Sequence, residues 1–205
     1  MARKPAAGDP RAWQRMLSGR RLDLIDPSPL DVEIDDIAHG LARVARWNGQ
    51  TTGAHAFSVA QHTLLVDHIA AIASPEIGPR GRLAVMLHDA PEYVIGDLIS
   101  PFKVLLGGEY KTVEGRLLAA IHIRFGLPSA LPAALTTAIK AADHVAAYHE
   151  AVHLAGFSQS EALRFFGRPV AIDPSTFDLD PWPAPRAESR FLARFRQIEK
   201  AVAKQ

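Results

Sequence analysis

Apolar residues recur at helical spacing over most of the chain. Ile37, Leu41, Val44 and Ala45 share one face of a segment for which Asp35 or Asp36 offers the N-cap. Val59, His62, Val66 and Ile69 form the inner stripe of a second helix running to about Ala73. It is opened by Ser58 with Gln61 three residues on, the spacing of a capping box. Arg80 to about Ile95 reads as a third helix, stopped by Gly96. Tyr110, Val113, Leu117, Ile121 and Phe125 mark a fourth, from Glu109 to Phe125, before Gly126 and Pro128. An Ala-rich helix runs from Leu131 to about Ala155 and ends at Gly156, and Ala187 to Ala203 closes the chain. Alternating residues are scarce. Asp23 to Leu30 and Arg168 to Asp173 are the candidate extended pieces, and Pro-rich Asp173 to Pro185 reads as an arm over the surface. The expectation is an all-α bundle of roughly five to seven helices. Residues 1–34 form an N-terminal arm, 35–156 the core, and 157–205 a C-terminal extension whose closing helix packs on the same domain.

Composition narrows the chemistry. At 205 residues the chain is long enough for one domain with a substantial core. A hydrophobic content of 48% with 22% charged residues excludes general disorder. The absence of Cys excludes disulfide scaffolds, thiolate-held zinc, iron–sulfur clusters and thiol catalysis, while 9 His leave a metal held by imidazole and carboxylate open. A net charge of +1 gives no reason to expect nucleic-acid binding. Met1 to Arg21 has no apolar signal core, and the best apolar run, Leu64 to Ala73, is interrupted by Asp67 and His68. The expected location is cytoplasmic, without membrane contact.

Four polar groups stand out against this apolar background. His88 and Asp89 lie among Leu83, Met86, Leu87, Ala90 and Val94, with Glu92 placed to crowd the same side. His62 sits on the apolar stripe of its helix, and Asp143 interrupts an Ala/Val-rich run. Each has an ordinary explanation singly, as a hydrogen-bonded core histidine or a charge on a solvated face. Together, on three apolar helices, they are best explained by convergence, and converging ionisable groups call for a cation.

His62, His88-Asp89 and Asp143, at these intervals, resemble the HD-domain superfamily of metal-dependent phosphohydrolases. The stretch Leu87-His88-Asp89-Ala90-Pro91-Glu92-Tyr93-Val94-Ile95-Gly96-Asp97, followed by Pro101 and Lys103, is similar to the subgroup containing bacterial 5′-deoxynucleotidases. Phe57 to His62 fits that subgroup's approach to the first ligand, and the resemblance spans about Asp35 to His153. It implies an HD-type helical bundle with one divalent ion (Mn, Co, Fe, Ni, Mg or Zn) on His62, His88, Asp89 and Asp143. Glu92 and Asp97 match the acids standing behind the ligands, one of which activates or orients water and helps protonate the leaving alkoxide. Arg46, with Trp47 against sugar or base, matches an Arg-Trp that holds phosphate, and Lys103 is a further substrate contact. The implied partner is a small phosphomonoester, a nucleoside 5′-monophosphate above all. Relatives in the subgroup also point to a homodimer, with Asp173 to Pro185 able to reach a neighbour.

One other motif competes. His149-Glu150-Ala151-Val152-His153 is an HExxH string, the zinc signature of metallopeptidases. Gln159 stands where the extended signature needs His, no later Glu is suitably placed, and strands to hold a peptide are missing. The better account is an exposed helix face of polar residues, on which Glu150→Gln has no effect. His39, His68, His122 and His144 have no partners at ligand spacing. The expected order of functions is therefore phosphohydrolase first, a non-catalytic metal- or nucleotide-binding module of the same fold second, and a zinc peptidase third.

Overall fold

The computed structural model describes residues 11–106 and 108–204 of the chain. Among them a hairpin of β1 (Trp13–Arg15) and β2 (Arg21–Asp23) precedes nine helices. These are α1 (Ile34–Leu41), α2 (Val59–Ala73), α3 (Gly78–Met86), α4 (Glu92–Ile95) and α5 (Ser100–Leu106), then α6 (Gly108–Arg124), α7 (Ala133–His153), α8 (Gln159–Phe166) and α9 (Ala184–Val202). The all-α expectation holds, with a higher helix count for physical reasons. The run expected as one helix from Arg80 to Ile95 is broken at Leu87, because Pro91 has no N–H to continue the ladder and its ring disfavours helical geometry at Ala90. Tight turns take over, with Ala90 N donating to Leu87 O (3.1 Å) and Glu92 N to Asp89 O (3.0 Å). Two helices went unforeseen: α5, and α8, which opens on a full Ser158–Glu161 capping box.

Helix α2 is the axle. It is apolar on nearly every side, so it is buried on nearly every side, against α7, α3 and α9. Its one buried acid, Asp67, is paired to Arg82 of α3 (2.6 Å) and Arg194 of α9 (2.7 Å), which ties three helices together. Ser58 caps α2 as expected, accepting from Gln61 N (3.2 Å), but the Gln61 side chain does not complete the box. It donates to Asp178 O and Asp180 O (3.2 and 2.7 Å) and accepts from Trp182 N (3.0 Å). With Phe177 and Trp182 buried, the Pro-rich segment 173–185 is thereby pinned to the core.

Other local expectations shift similarly. Glu33 stands at the N-cap of α1, because Asp36 is occupied by Ser18, whose N and Oγ both donate to it. That bond docks the hairpin loop, while Leu22 and Val32 enter the core. Helix α1 stops at Leu41, short of Val44 and Ala45, since Ala45 bridges to Ser58 as extended chain. The strand expected from Asp23 to Leu30 ends at Asp23, whose carboxylate turns the chain by accepting from Ile25 N and Asp26 N. Residues 168–173 form no strand. Gly40 matters for the site: a Cβ there would lie 2.8 Å from Tyr93, so only glycine lets α1 lie directly on α4. No helix among the described residues is long and apolar enough to cross a membrane.

Candidate metal centre

Three elements converge at one end of α2. His62, in the first turn of α2, is fully buried. His88 and Asp89 lie on the turns between α3 and α4, and Asp143 is midway along α7, which packs on α2. His62, His88 and Asp143 each offer a ligand atom within 4.8 Å of the others. Asp89 Oδ2 lies 3.3 Å from His62 Nε2 and 3.2 Å from His88 Nε2, and Asp143 Oδ1 lies 3.2 Å from His62 Nε2. The broken helix is what makes this possible, since it lets His88 fold back so that Nδ1 meets Val85 O at 2.7 Å.

The donor set fits a divalent cation. Both Nε2 atoms are buried without a hydrogen-bond partner. Each ring has its Nδ1 engaged, His88 on the Val85 carbonyl and His62 on Glu150 Oε1 (2.5 Å), which leaves the Nε2 lone pair facing the carboxylates. The electrostatics agree. Burial opposes ionisation of Asp89, but His88 and His62 outweigh it and hold the carboxyl well below its usual range. Burial likewise opposes protonation of His62, as does Arg46, yet Glu150, Asp143 and Asp89 raise its proton affinity well above normal. A pocket that draws a proton so strongly onto a buried imidazole is one that favours positive charge.

Beside this cluster lies a cavity of about 560 Å³ with two unlike sets of lining residues. Asp89, Glu92, Asp97, Asp143, Arg46 and Lys103 are the charged set. Trp47, Phe157, Phe165 and Phe166 are the aromatic set, with Trp47 5.5 Å from Phe157 and 5.8 Å from Phe166 between ring centroids. The structure thus brings Arg46, Trp47, Glu92, Asp97 and Lys103 to one place. Glu92 is buried, with Oε1 3.5 Å from Lys103 Nζ and Oε2 unpartnered. Burial, then Asp89 and Asp97, push its carboxyl from 4.5 up to about 9, against Arg46 and Lys103. Arg46 Nη1 donates to Asp97 (3.1 Å), so Asp97 is engaged in holding the guanidinium.

Arg46 and Trp47 lie on a short turn in which Trp47 and Asn48 have φ of 57° and 51°, a region L-residues rarely adopt. The base of the turn is closed by Arg46 N to Phe57 O (2.8 Å) and Val59 N to Val44 O (3.0 Å), so the exposed loop around His55 does not carry Arg46 away from His62.

The HExxH string is not an exposed face. His149 and Glu150 are buried, and only His153 is exposed. The His149 and His153 rings stack 6.0 Å apart, and no third His, Asp or Glu among the described residues joins them as a metal group. Glu150 faces the other way, into the centre just described. It was missed as a site residue because the motif drew attention to its histidine neighbours. The available signal was its spacing of seven from Asp143, two helical turns, which places both on one side of α7.

No protein-family model matches the chain. An uncharacterized protein of Rhodobacter capsulatus is 55% identical to it over 193 residues, 94% of this chain and 98% of the relative. Identity of that extent shows common descent over essentially the whole length, and the chain belongs to the same family as that Rhodobacter protein.

Proposed function

We propose that this chain is a metal-dependent phosphohydrolase that releases phosphate from a small phosphomonoester, a nucleoside 5′-monophosphate by preference. The observation that carries the reading is the pair of buried, unpartnered Nε2 atoms of His62 and His88 facing Asp89 and Asp143, which line a cavity together with Arg46 and Lys103. The resemblance of the same residues to the HD-domain superfamily supports it, and His62, His88, Asp89 and Asp143 are the proposed metal ligands. A divalent cation held there supplies charge neutralisation at phosphoryl oxygens and acidifies water.

The chain's own groups divide the remaining work. Arg46 and Lys103 neutralise the phosphate, Arg46 being aimed by Asp97. Glu92, whose proton affinity is raised in the metal-free site by burial and by Asp89 and Asp97, and whose Oε2 is free, gives its proton to the leaving alkoxide and afterwards takes one from water. Trp47, Phe157 and Phe166 offer ring faces to a planar base, and a cavity of about 560 Å³ accommodates a nucleotide.

The test is phosphate release by metal-stripped protein to which Mn²⁺, Co²⁺, Ni²⁺, Fe²⁺, Mg²⁺ or Zn²⁺ is restored singly. The substrates are ribo- and deoxyribonucleoside monophosphates, with Asp89→Ala as control. Metal-dependent release that the variant lacks is the expected result. Protein that takes up metal yet releases no phosphate from any of them would replace this reading with a non-catalytic binding module.

A further inference from the structure

The carboxylate of Glu150 is 0% exposed and makes four polar contacts, all to groups outside its own helix. Oε1 meets His62 Nδ1. Oε2 accepts from Arg46 Nε and Nη2, each at 3.2 Å, and from Trp47 Nε1 at 2.9 Å. One oxygen therefore serves the proposed metal centre, and the other serves the turn that presents the phosphate-binding arginine.

Neutralising Arg46 alone does not account for this arrangement, since Asp97 already pairs with the guanidinium. Oε1 has a single partner, the ring whose opposite nitrogen is unpartnered and faces Asp89 and Asp143. A bond from Nδ1–H to a carboxylate selects the tautomer with its lone pair on Nε2 and makes that nitrogen a stronger ligand. His88 receives only a neutral carbonyl at the same position, so the two imidazoles are unequal. On the other side, Trp47 and Asn48 hold left-handed backbone, and the Trp47 Nε1 bond to Glu150 keeps that turn in place.

We infer that Glu150 is a positioning residue shared by both halves of the site, orienting His62 for the metal through one oxygen and Arg46 with Trp47 for the phosphate through the other. The inference rests on the metal-dependent phosphohydrolase reading for its ligands, and its test measures binding, not turnover.

Two titrations on full-length, metal-stripped protein decide it. Co²⁺ affinity is read by calorimetry and by the visible spectrum, and inorganic phosphate affinity by its effect on that spectrum at saturating Co²⁺. Glu150→Gln is expected to weaken Co²⁺ binding by about 10- to 100-fold, as loss of a carboxylate behind a ligating histidine does. It is also expected to weaken phosphate binding several-fold. Phosphate is the discriminating probe, because removing a nearby negative charge without disturbing Arg46 would tighten an anion. Should Glu150→Gln fail to fold with Arg46 left on Asp97 alone, the double variant Glu150→Gln with Arg46→Gln removes both charges and must show the same Co²⁺ loss relative to Arg46→Gln alone, since removing the guanidinium by itself favours a cation.

Wild-type-like Co²⁺ affinity in a folded variant overturns the role at His62, and unchanged or tighter phosphate binding overturns the role at Arg46. Wild-type protein that binds Co²⁺ but hydrolyses nothing defeats the phosphohydrolase reading and leaves Glu150 to be judged by these two titrations. Wild-type protein that binds no Co²⁺ overturns both.

Discussion

Replacing Glu92 by Gln tests the electrostatics of the site with a sign that is easy to get wrong. Glu92 is 3% exposed and holds its proton up to about pH 9, against 4.5 for an unhindered carboxyl. Between those values the unfolded chain has lost a proton that the folded chain keeps, so metal-free protein loses stability as pH rises through this window. At about 1.4 kcal/mol per pH unit, the cost at pH 7 is about 3 kcal/mol, and under about 1 kcal/mol at pH 5. The Gln amide matches the protonated acid in shape and cannot ionise. Glu92→Gln is therefore expected to be more stable than wild type in chelator at pH 7, and close to it at pH 5. Urea unfolding of both proteins at pH 5, 6, 7 and 8 measures the gap, and other titrating groups cancel in the difference. A gap that stays flat with pH refutes the reasoning. In metal-loaded protein the same variant should lose turnover by roughly 10²- to 10⁴-fold, the cost of removing a positioned acid–base group.

Two further outcomes are expected. Asp89→Ala should lose bound metal and phosphate release together, checked by metal content after dialysis and by the release assay; retention of one metal per chain would remove Asp89 from the ligand set. Gln61→Leu should destabilise the chain by about 1–3 kcal/mol, since it leaves the buried Trp182 N–H unpaired and removes the part-buried bonds to the Asp178 and Asp180 carbonyls. Urea denaturation followed by circular dichroism measures that loss, and a change under about 1 kcal/mol would show that Phe177 and Trp182 hold the arm without Gln61.

Periodicity was enough to read the helical class and the course of α2, α6, α7 and α9, because each carries a long apolar stripe or a clear stop such as Gly126 or Gly156. The residue types of the centre were legible too: His62 on an apolar stripe and Asp143 in an Ala-rich run conflict with burial unless they meet partners. Distances between separate segments were not. One-dimensional spacing treated His88, Asp89 and Glu92 as one helical face, whereas Pro91 breaks the helix and the turn aims His88 back at Val85. Asp36 looks like a helix cap until Ser18, 18 residues earlier, claims its oxygens.

Glu150 shows the division most clearly. In the chain it belongs to a string whose histidines suggest zinc, and its two-turn spacing from Asp143 places it on that residue's side of α7 without saying which groups it will meet there. Packing of α7 on α2 turns its carboxylate toward His62, and the Ala45–Ser58 bridge delivers Arg46 and Trp47 to the same oxygen pair. Residue identity sets what a group can do chemically. Which groups it does it with depends on long-range closure between segments that no local periodicity encodes, and there the folded chain alone supplied the answer.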